Sequence, residues 1–166
     1  MISKRILLLA FLVWLTDAVS KWWALTHLPN VPVALIPGVF FLWLASNPGG
    51  SYGLSREFME LCLTLPATLV FLCYLALARR EKLGYRPSTL MQIGMACLTG
   101  GTISNWSERV VYQHVTDFCF TPFWSCIWNL ADMFISTGFM LIAIDVFLIA
   151  RKHRLNKRSS ASTESA

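Results

Sequence analysis

The reading of this chain turns on Gly100 to Asp132: G-G-T-I-S-N-W-S-E-R-V-V-Y-Q-H-V-T-D-F-C-F-T-P-F-W-S-C-I-W-N-L-A-D. The stretch leaves one apolar segment, crosses a short aromatic-rich loop and enters a second apolar segment. Asp117 lies in the loop, and Asp132 lies about two or three residues inside the second apolar run. An ionisable side chain at that depth is costly in hydrocarbon and points to function rather than to packing.

The surrounding composition is that of a bilayer protein. The 166 residues are 55% hydrophobic, with a mean hydropathy of +0.55, and their number fits one domain. The net charge of +5 does not argue for nucleic acid, because the basic residues cluster at the ends of apolar runs. Five cysteines contain no C-x-x-C, and three histidines are scattered, so no zinc site and no other metal is expected.

The expected fold class is an all-α membrane protein with four transmembrane helices and a small extracytoplasmic β-ribbon or loop region. The spans are read at about 6–25, 58–78, 89–106 and 130–150, each long enough for a core of about 30 Å. Lys4 and Arg5 followed by I-L-L-L-A-F-L-V-W-L resemble a signal peptide. The apolar character continues past Asp17 to Leu25 without a small-residue cleavage site, which favours a retained helix. Between 26 and 57, four prolines and N-P-G-G-S-Y-G break any helix, leaving 39–44 as a strand or surface ribbon. In the third span, Ala96, Gly100 and Ser104 recur every four positions and form a ridge for close helix approach. Residues 1–152 are read as one integral-membrane domain and 153–166 as a polar cytoplasmic tail with no reason to order.

Eleven of the 14 Lys and Arg residues fall in the N-terminus, the loop after span two and the C-terminal segment. The positive-inside rule makes that side cytoplasmic, with both termini inside and Asp117 outside. Trp22, Trp23, Trp43, Trp106, Trp124 and Trp128 fall at the outer ends of spans, as an interfacial belt does.

A folded-back loop would bring Asp117 to Asp132. Two close, buried carboxyls cannot both ionise cheaply, so they would share one proton and titrate as a pair. That is the working state of an aspartic peptidase, in which one acid activates water and the other protonates the scissile carbonyl. The plainer alternative is that each acid only caps or pairs, Asp132 at a helix N-terminus above all. Asp17 and Lys21 share a helical face four residues apart, either as a self-contained ion pair or as part of the site. Asn105 and Arg109, also four apart, point out of span three towards the same place, and Asn129 precedes Asp132 by three. Asn47 lies in the glycine-rich outer turn. Asp145, deep in span four, has no assigned role.

These residues, in order, resemble the lipoprotein signal peptidase (signal peptidase II) family: D-A-V-S-K at 17–21, N-P-G-G-S-Y-G at 47–53, G-G-T-I-S-N-W-S-E-R at 100–109, V-T-D-F at 115–118 and N-L-A-D at 129–132. The resemblance implies an aspartic endopeptidase of the bacterial inner membrane. It would remove the signal peptide of prolipoproteins just before a cysteine carrying diacylglycerol. It implies Asp117 and Asp132 as the catalytic pair, and Asp17, Lys21, Asn47, Gly49, Asn105, Arg109 and Asn129 as supporting or substrate-binding residues. It implies no cofactor, no nucleic-acid partner, contact with membrane lipid and a monomeric enzyme. Ser104 and Glu108 depart from the family's usual Gly and Asp, and Pro48, Gly50, Ser51 and Tyr52 depart from its usual turn.

Two alternatives stand beside this reading. A four-helix proton- or ion-coupled carrier would need polar residues through the whole membrane depth, whereas here they gather at one end. A quinone-linked disulfide oxidase would need more than the one outer pair, Cys119 and Cys126. That pair lies where a disulfide is chemically permitted.

Overall fold

The computed structural model describes residues 4–48, 72, 76, 79, 87–123 and 126–164. Among them are three helices, α1 (Lys4–His27), α2 (Thr89–Tyr112) and α3 (Leu130–Glu164). Four strands, β1 (Val33–Ile36), β2 (Phe40–Asn47), β3 (Val115–Thr121) and β4 (Cys126–Trp128), form one antiparallel sheet in that order. Apart from residues 72 and 76, the predicted span at 58–78 lies outside the described residues, as do Gly49 and the rest of the turn to 53.

Helix α2 is the middle member of the bundle, packed on α1 along one side and on α3 along the other. Two adjacent glycines permit this. A Cβ on Gly100 would strike the Ala10 carbonyl and Val13 of α1, and one on Gly101 would come within 2.6 Å of the Ala131 carbonyl of α3. The expected ridge is therefore real: Ala96, Gly100 and Ser104 are buried, and its glycine meets α1. Among the described helices, α1 and the Leu130–Lys152 part of α3 are apolar enough to cross a bilayer, with mean hydropathies of 1.5 and 2.2. The hydropathy of α2 is lower because its buried positions include Thr99, Ser104, Asn105 and glycines.

Ser88 caps the start of α2, its hydroxyl accepting from the Met91 N–H at 3.0 Å. At the other end Gln113 closes the helix in the left-handed conformation, φ 62°, and turns the chain directly into β3.

The sheet covers the outer end of α1. Ala24, Phe118 and Cys119 are buried together, with Leu28, Phe40, Leu42, Leu44, Trp128 and Leu130 around them. Between Leu42 and Ala45 the register of β2 against β3 shifts, so that Leu42 opposes Cys119 while Ala45 opposes Asp117. The extra residue on β2 matters for the site. An unbroken register would set Leu44 opposite Asp117 and leave Asn47 on the other face; the bulge brings Asn47 to the Asp117 face.

Four expectations are corrected. Asp117 lies on strand β3, not in a loop. V-T-D-F-C-F-T has the β-branched and aromatic content of a strand, but β3 is central and buried along nearly all its length, so no apolar–polar alternation announces it. The ribbon at 39–44 is the middle of a longer hairpin of β1 and β2. Helix α2 extends beyond 106 to Tyr112. Helix α3 continues beyond 150 to Glu164, through most of the expected tail, since no Gly or Pro follows Gly138 to stop it.

Candidate active site

The N-terminus of α3 is where the polar residues meet. Asn129 is its cap and Asp132 its third residue, and the two exchange bonds reciprocally. The Asn129 N–H donates to Asp132 Oδ2 at 3.2 Å, and the Asp132 N–H donates to Asn129 Oδ1 at 3.1 Å. The same Asn129 side chain reaches the sheet, its Nδ2 donating to Asp117 Oδ1 at 2.6 Å. One residue thus touches both acids, with its side-chain amide on the Asp117 carboxyl and its main-chain N–H on the Asp132 carboxyl.

Each acid has a second donor. Asn105 of α2 donates from Nδ2 to Asp132 Oδ1 at 2.8 Å, and Asn47 of β2 donates from Nδ2 to Asp117 Oδ2 at 2.8 Å. Both carboxyl groups accordingly have all four oxygens engaged, by three asparagines from β2, α2 and the start of α3. Burial pushes the Asp117 carboxyl up to about 6. The Asn47 bond opposes that rise and the nearby Asp132 charge adds to it, while Asn129 and the Lys21 charge favour the ionised form.

Below the pair lies a single cation. Lys21 Nζ meets Asp17 Oδ2, Glu108 Oε2 and Asn105 Oδ1, each at 2.8 Å. Asp17 and Lys21 are therefore no self-contained pair. Asp17 also accepts from the Ser104 hydroxyl at 2.6 Å and from the Ala131 N–H at 2.7 Å. Its carboxylate satisfies one of the free N–H groups at the start of α3, where negative charge is favoured. Glu108 accepts from the Thr116 N–H at 3.1 Å and from the Thr116 hydroxyl at 2.9 Å.

A cavity of about 440 Å³ opens on Asp132 and is lined besides by Cys126, Trp128, Met133, Ser136 and Thr137. Its walls are mostly apolar, with one carboxyl and two hydroxyls as polar features, which suits an apolar chain presented to an acid.

Of the residues singled out in the sequence, Asp117, Asp132, Asp17, Lys21, Asn47, Asn105 and Asn129 converge on this one cluster. Arg109 does not join it: its Nε is buried without a hydrogen-bond partner among the described residues. Gly49 lies outside the described residues. Glu108, Ser104 and Thr116 were missed. The signal for two of them was available, because Ser104 and Glu108 repeat on α2 the four-residue spacing of Asp17 and Lys21 on α1. Cys119 and Cys126 are free thiols. Cys119 opposes Trp128 and Cys126 opposes Thr121, so the two cysteines are diagonal neighbours rather than a direct pair. Diagonal positions stand about 7–8 Å apart, beyond easy bridging. Burial pushes the Cys119 thiol up to about 12, and the Asp117 charge adds to the effect, so it stays protonated.

Asp145 has a place far from this cluster. It is buried, and its Oδ1 accepts from the Ser88 hydroxyl at 2.5 Å at the opposite end of α2.

Comparison with known proteins agrees with the architecture. Two solved structures of bacterial membrane enzymes obtained by the in meso method superpose with TM-scores of 0.66 and 0.65 at 24% and 25% identity. They cover 86% and 85% of this chain and 87% and 91% of theirs. A lipoprotein signal peptidase of Mesorhizobium japonicum is 34% identical over 120 residues, 70% of each chain. One of Ectopseudomonas mendocina is 31% identical over 154 residues, 85% of this chain and 86% of its own. The family described as Signal peptidase (SPase) II matches from residue 9 to residue 148, across all the elements of the cluster, and the chain belongs to that family.

Proposed function

We propose that this protein is a membrane aspartic endopeptidase, with Asp117 and Asp132 as its catalytic pair. It removes the signal peptide of prolipoproteins by cutting on the N-terminal side of a diacylglyceryl-modified cysteine. The relatives' shared designation as lipoprotein signal peptidases supports the substrate. The observation that carries the catalytic assignment is that one residue, Asn129, donates to both carboxyls, from its side chain to Asp117 and from its main chain to Asp132.

The pair holds one proton. The ionised acid takes a proton from water, which attacks the scissile carbonyl carbon, while the protonated acid donates to the carbonyl oxygen. The tetrahedral intermediate then collapses. The C–N bond breaks, and the leaving cysteine nitrogen takes a proton from the acid that had received one. Asn47, Asn105 and Asn129 orient the carboxyls, and Lys21 with Asp17 holds the start of α3 beneath them. Arg109, with its Nε unpaired among the described residues, is available to the substrate backbone, and Gly49 is assigned to substrate binding by the family resemblance alone.

The acyl chains of the substrate stay in the bilayer, so the bond is presented at membrane-surface depth. The apolar cavity beside Asp132 supports that presentation. The chain is a single multi-pass domain of the bacterial inner membrane, with both termini cytoplasmic and the acids at the outer leaflet. It acts as a monomer in contact with membrane lipid. A fourth span at about 58–78 belongs to this reading, because its apolar length suits a hydrocarbon core of about 30 Å. The carrier alternative has no support among the relatives.

The test is cleavage of a diacylglyceryl-modified prolipoprotein by purified Asp117→Asn and Asp132→Asn proteins. Loss of product in both is expected, and normal processing by either overturns the assignment.

A further inference from the structure

The Lys21 cation stands at the centre of two arms built alike. Through Asp17 it reaches the N–H of Ala131, the residue before Asp132; through Glu108 it reaches the N–H of Thr116, the residue before Asp117. Both arms end on a main-chain donor one position ahead of an acid. Their lengths agree closely: 2.8 Å then 2.7 Å on the α3 side, 2.8 Å then 3.1 Å on the sheet side.

The arm through Asp17 joins elements that pack on each other in any case. The arm through Glu108 joins α2 to a strand, and the contact is two-pronged: Oε2 takes the Thr116 N–H, and Oε1 takes its hydroxyl. Two bonds from one carboxylate fix both position and orientation, as a single bond does not. Thr116 faces Ser46 across the sheet, just past the bulge that brings Asn47 round to Asp117. A register disturbed by a bulge needs an outside reference, and Glu108 supplies one from the helix that also carries Asn105. Asn105 holds Asp132. The Glu108 arm therefore refers Asp117 to the same helix that positions its partner acid.

We propose that Glu108 is a positioning residue for Asp117: held by Lys21, its carboxylate clamps Thr116 and sets the place of β3 from which Asp117 meets Asp132. This rests on the aspartic reading above. Glu108 bonds neither reacting acid and does not line the cavity beside Asp132; with Lys21 and Ser104 it borders a separate cavity of about 330 Å³. Its effect on Asp117 runs through Thr116 and falls on the chemical step.

The experiment uses the full chain in detergent micelles with a diacylglyceryl-cysteine precursor peptide, measuring kcat and KM separately. Glu108→Ala is expected to lower kcat about 10- to 100-fold with KM within about twofold, the scale of loss that follows a misplacement of about 1 Å. Glu108→Asp, which keeps the charge beside Lys21, is expected to recover part of that kcat. Thr116→Val keeps the strand and the N–H bond while deleting the hydroxyl prong, and is expected to lower kcat by about threefold. Wild-type kcat in Glu108→Ala, or a rise in KM alone, overturns the positioning role. If Glu108→Ala does not fold, an unchanged kcat in Thr116→Val overturns it equally. Asp117→Asn in the same assay separates the two levels. An inactive Asp117→Asn beside a fully active Glu108→Ala removes only the positioning role, whereas an active Asp117→Asn removes the catalytic assignment on which it rests.

Discussion

Carboxylates are buried at both ends of the α2–α3 interface, and the two ends satisfy them differently. At one end, Asp132, Asp117 and Asp17 share donors from three asparagines, a serine, a lysine and a main-chain N–H, with every carboxyl oxygen engaged. At the end that carries Ser88, Asp145 has the Ser88 hydroxyl on one oxygen and, among the described residues, no hydrogen-bond partner on the other. Burying a carboxyl is costly in either place unless it is paired. The cluster around Asp117 and Asp132 offsets the cost with donors to every carboxyl oxygen, an arrangement that the proposed function puts to chemical use. The pair of Ser88 and Asp145 ties the first turn of α2 to α3, which is a structural one. Burial of an acid in a membrane helix therefore does not by itself mark a catalytic group; the number and origin of its donors distinguish the two.

The contrast breaks if the acids prove interchangeable in effect. The largest change is expected for Asp117→Asn and Asp132→Asn, each lowering kcat by about 10³-fold or more while the protein still folds, read by product formation in single-turnover assays. Asn129→Ala comes next. It removes the side-chain donor to the Asp117 carboxyl and the acceptor for the Asp132 N–H, and is expected to cost about 10- to 100-fold in kcat, since a buried donor lost to a charged acceptor is worth about 1.5–3 kcal/mol.

The pH dependence sharpens the same contrast. Asp117 is raised from 3.8 to about 6, so its ionised form is lost as pH falls through about 6 rather than near 4. The acid limb of kcat/KM is expected there. Asn47→Ala removes a bond that favours the carboxylate and should move that limb to higher pH, as a pH–rate profile will reveal. The smallest effect on activity is expected at the end that carries Ser88. Ser88→Ala deletes both the α2 cap and the one donor to Asp145. It should cost about 1–3 kcal/mol of stability in a thermal or denaturant unfolding assay while leaving kcat within about twofold.

Much of the site was legible as spacing. Asp17 and Lys21, Asn105 and Arg109, and Asn129 and Asp132 lie three or four apart, and helical geometry alone sets each pair on one face. The cap formed by Asn129 and Asp132 is a local event, written in four consecutive residues. Spacing set Arg109 on the face of Asn105 but did not name its partners. It set Glu108 on the face of Ser104 but not against Thr116, eight residues later and on a strand that the burial of both its faces had disguised.

The sequence by itself determined the membrane character, three of the described segments and the identity of the acids, because apolar length, charge clusters and helical period are properties of neighbours along the chain. Only the tertiary structure decided that Asp117 sits on a strand, that a bulge turns Asn47 towards it, and that Lys21 serves two carboxylates at once. Those facts depend on the register between elements up to 114 residues apart, as Ala131 and Asp17 are. Close packing sets that register: glycine contacts between helices and a one-residue offset between strands, neither of which a linear pattern records.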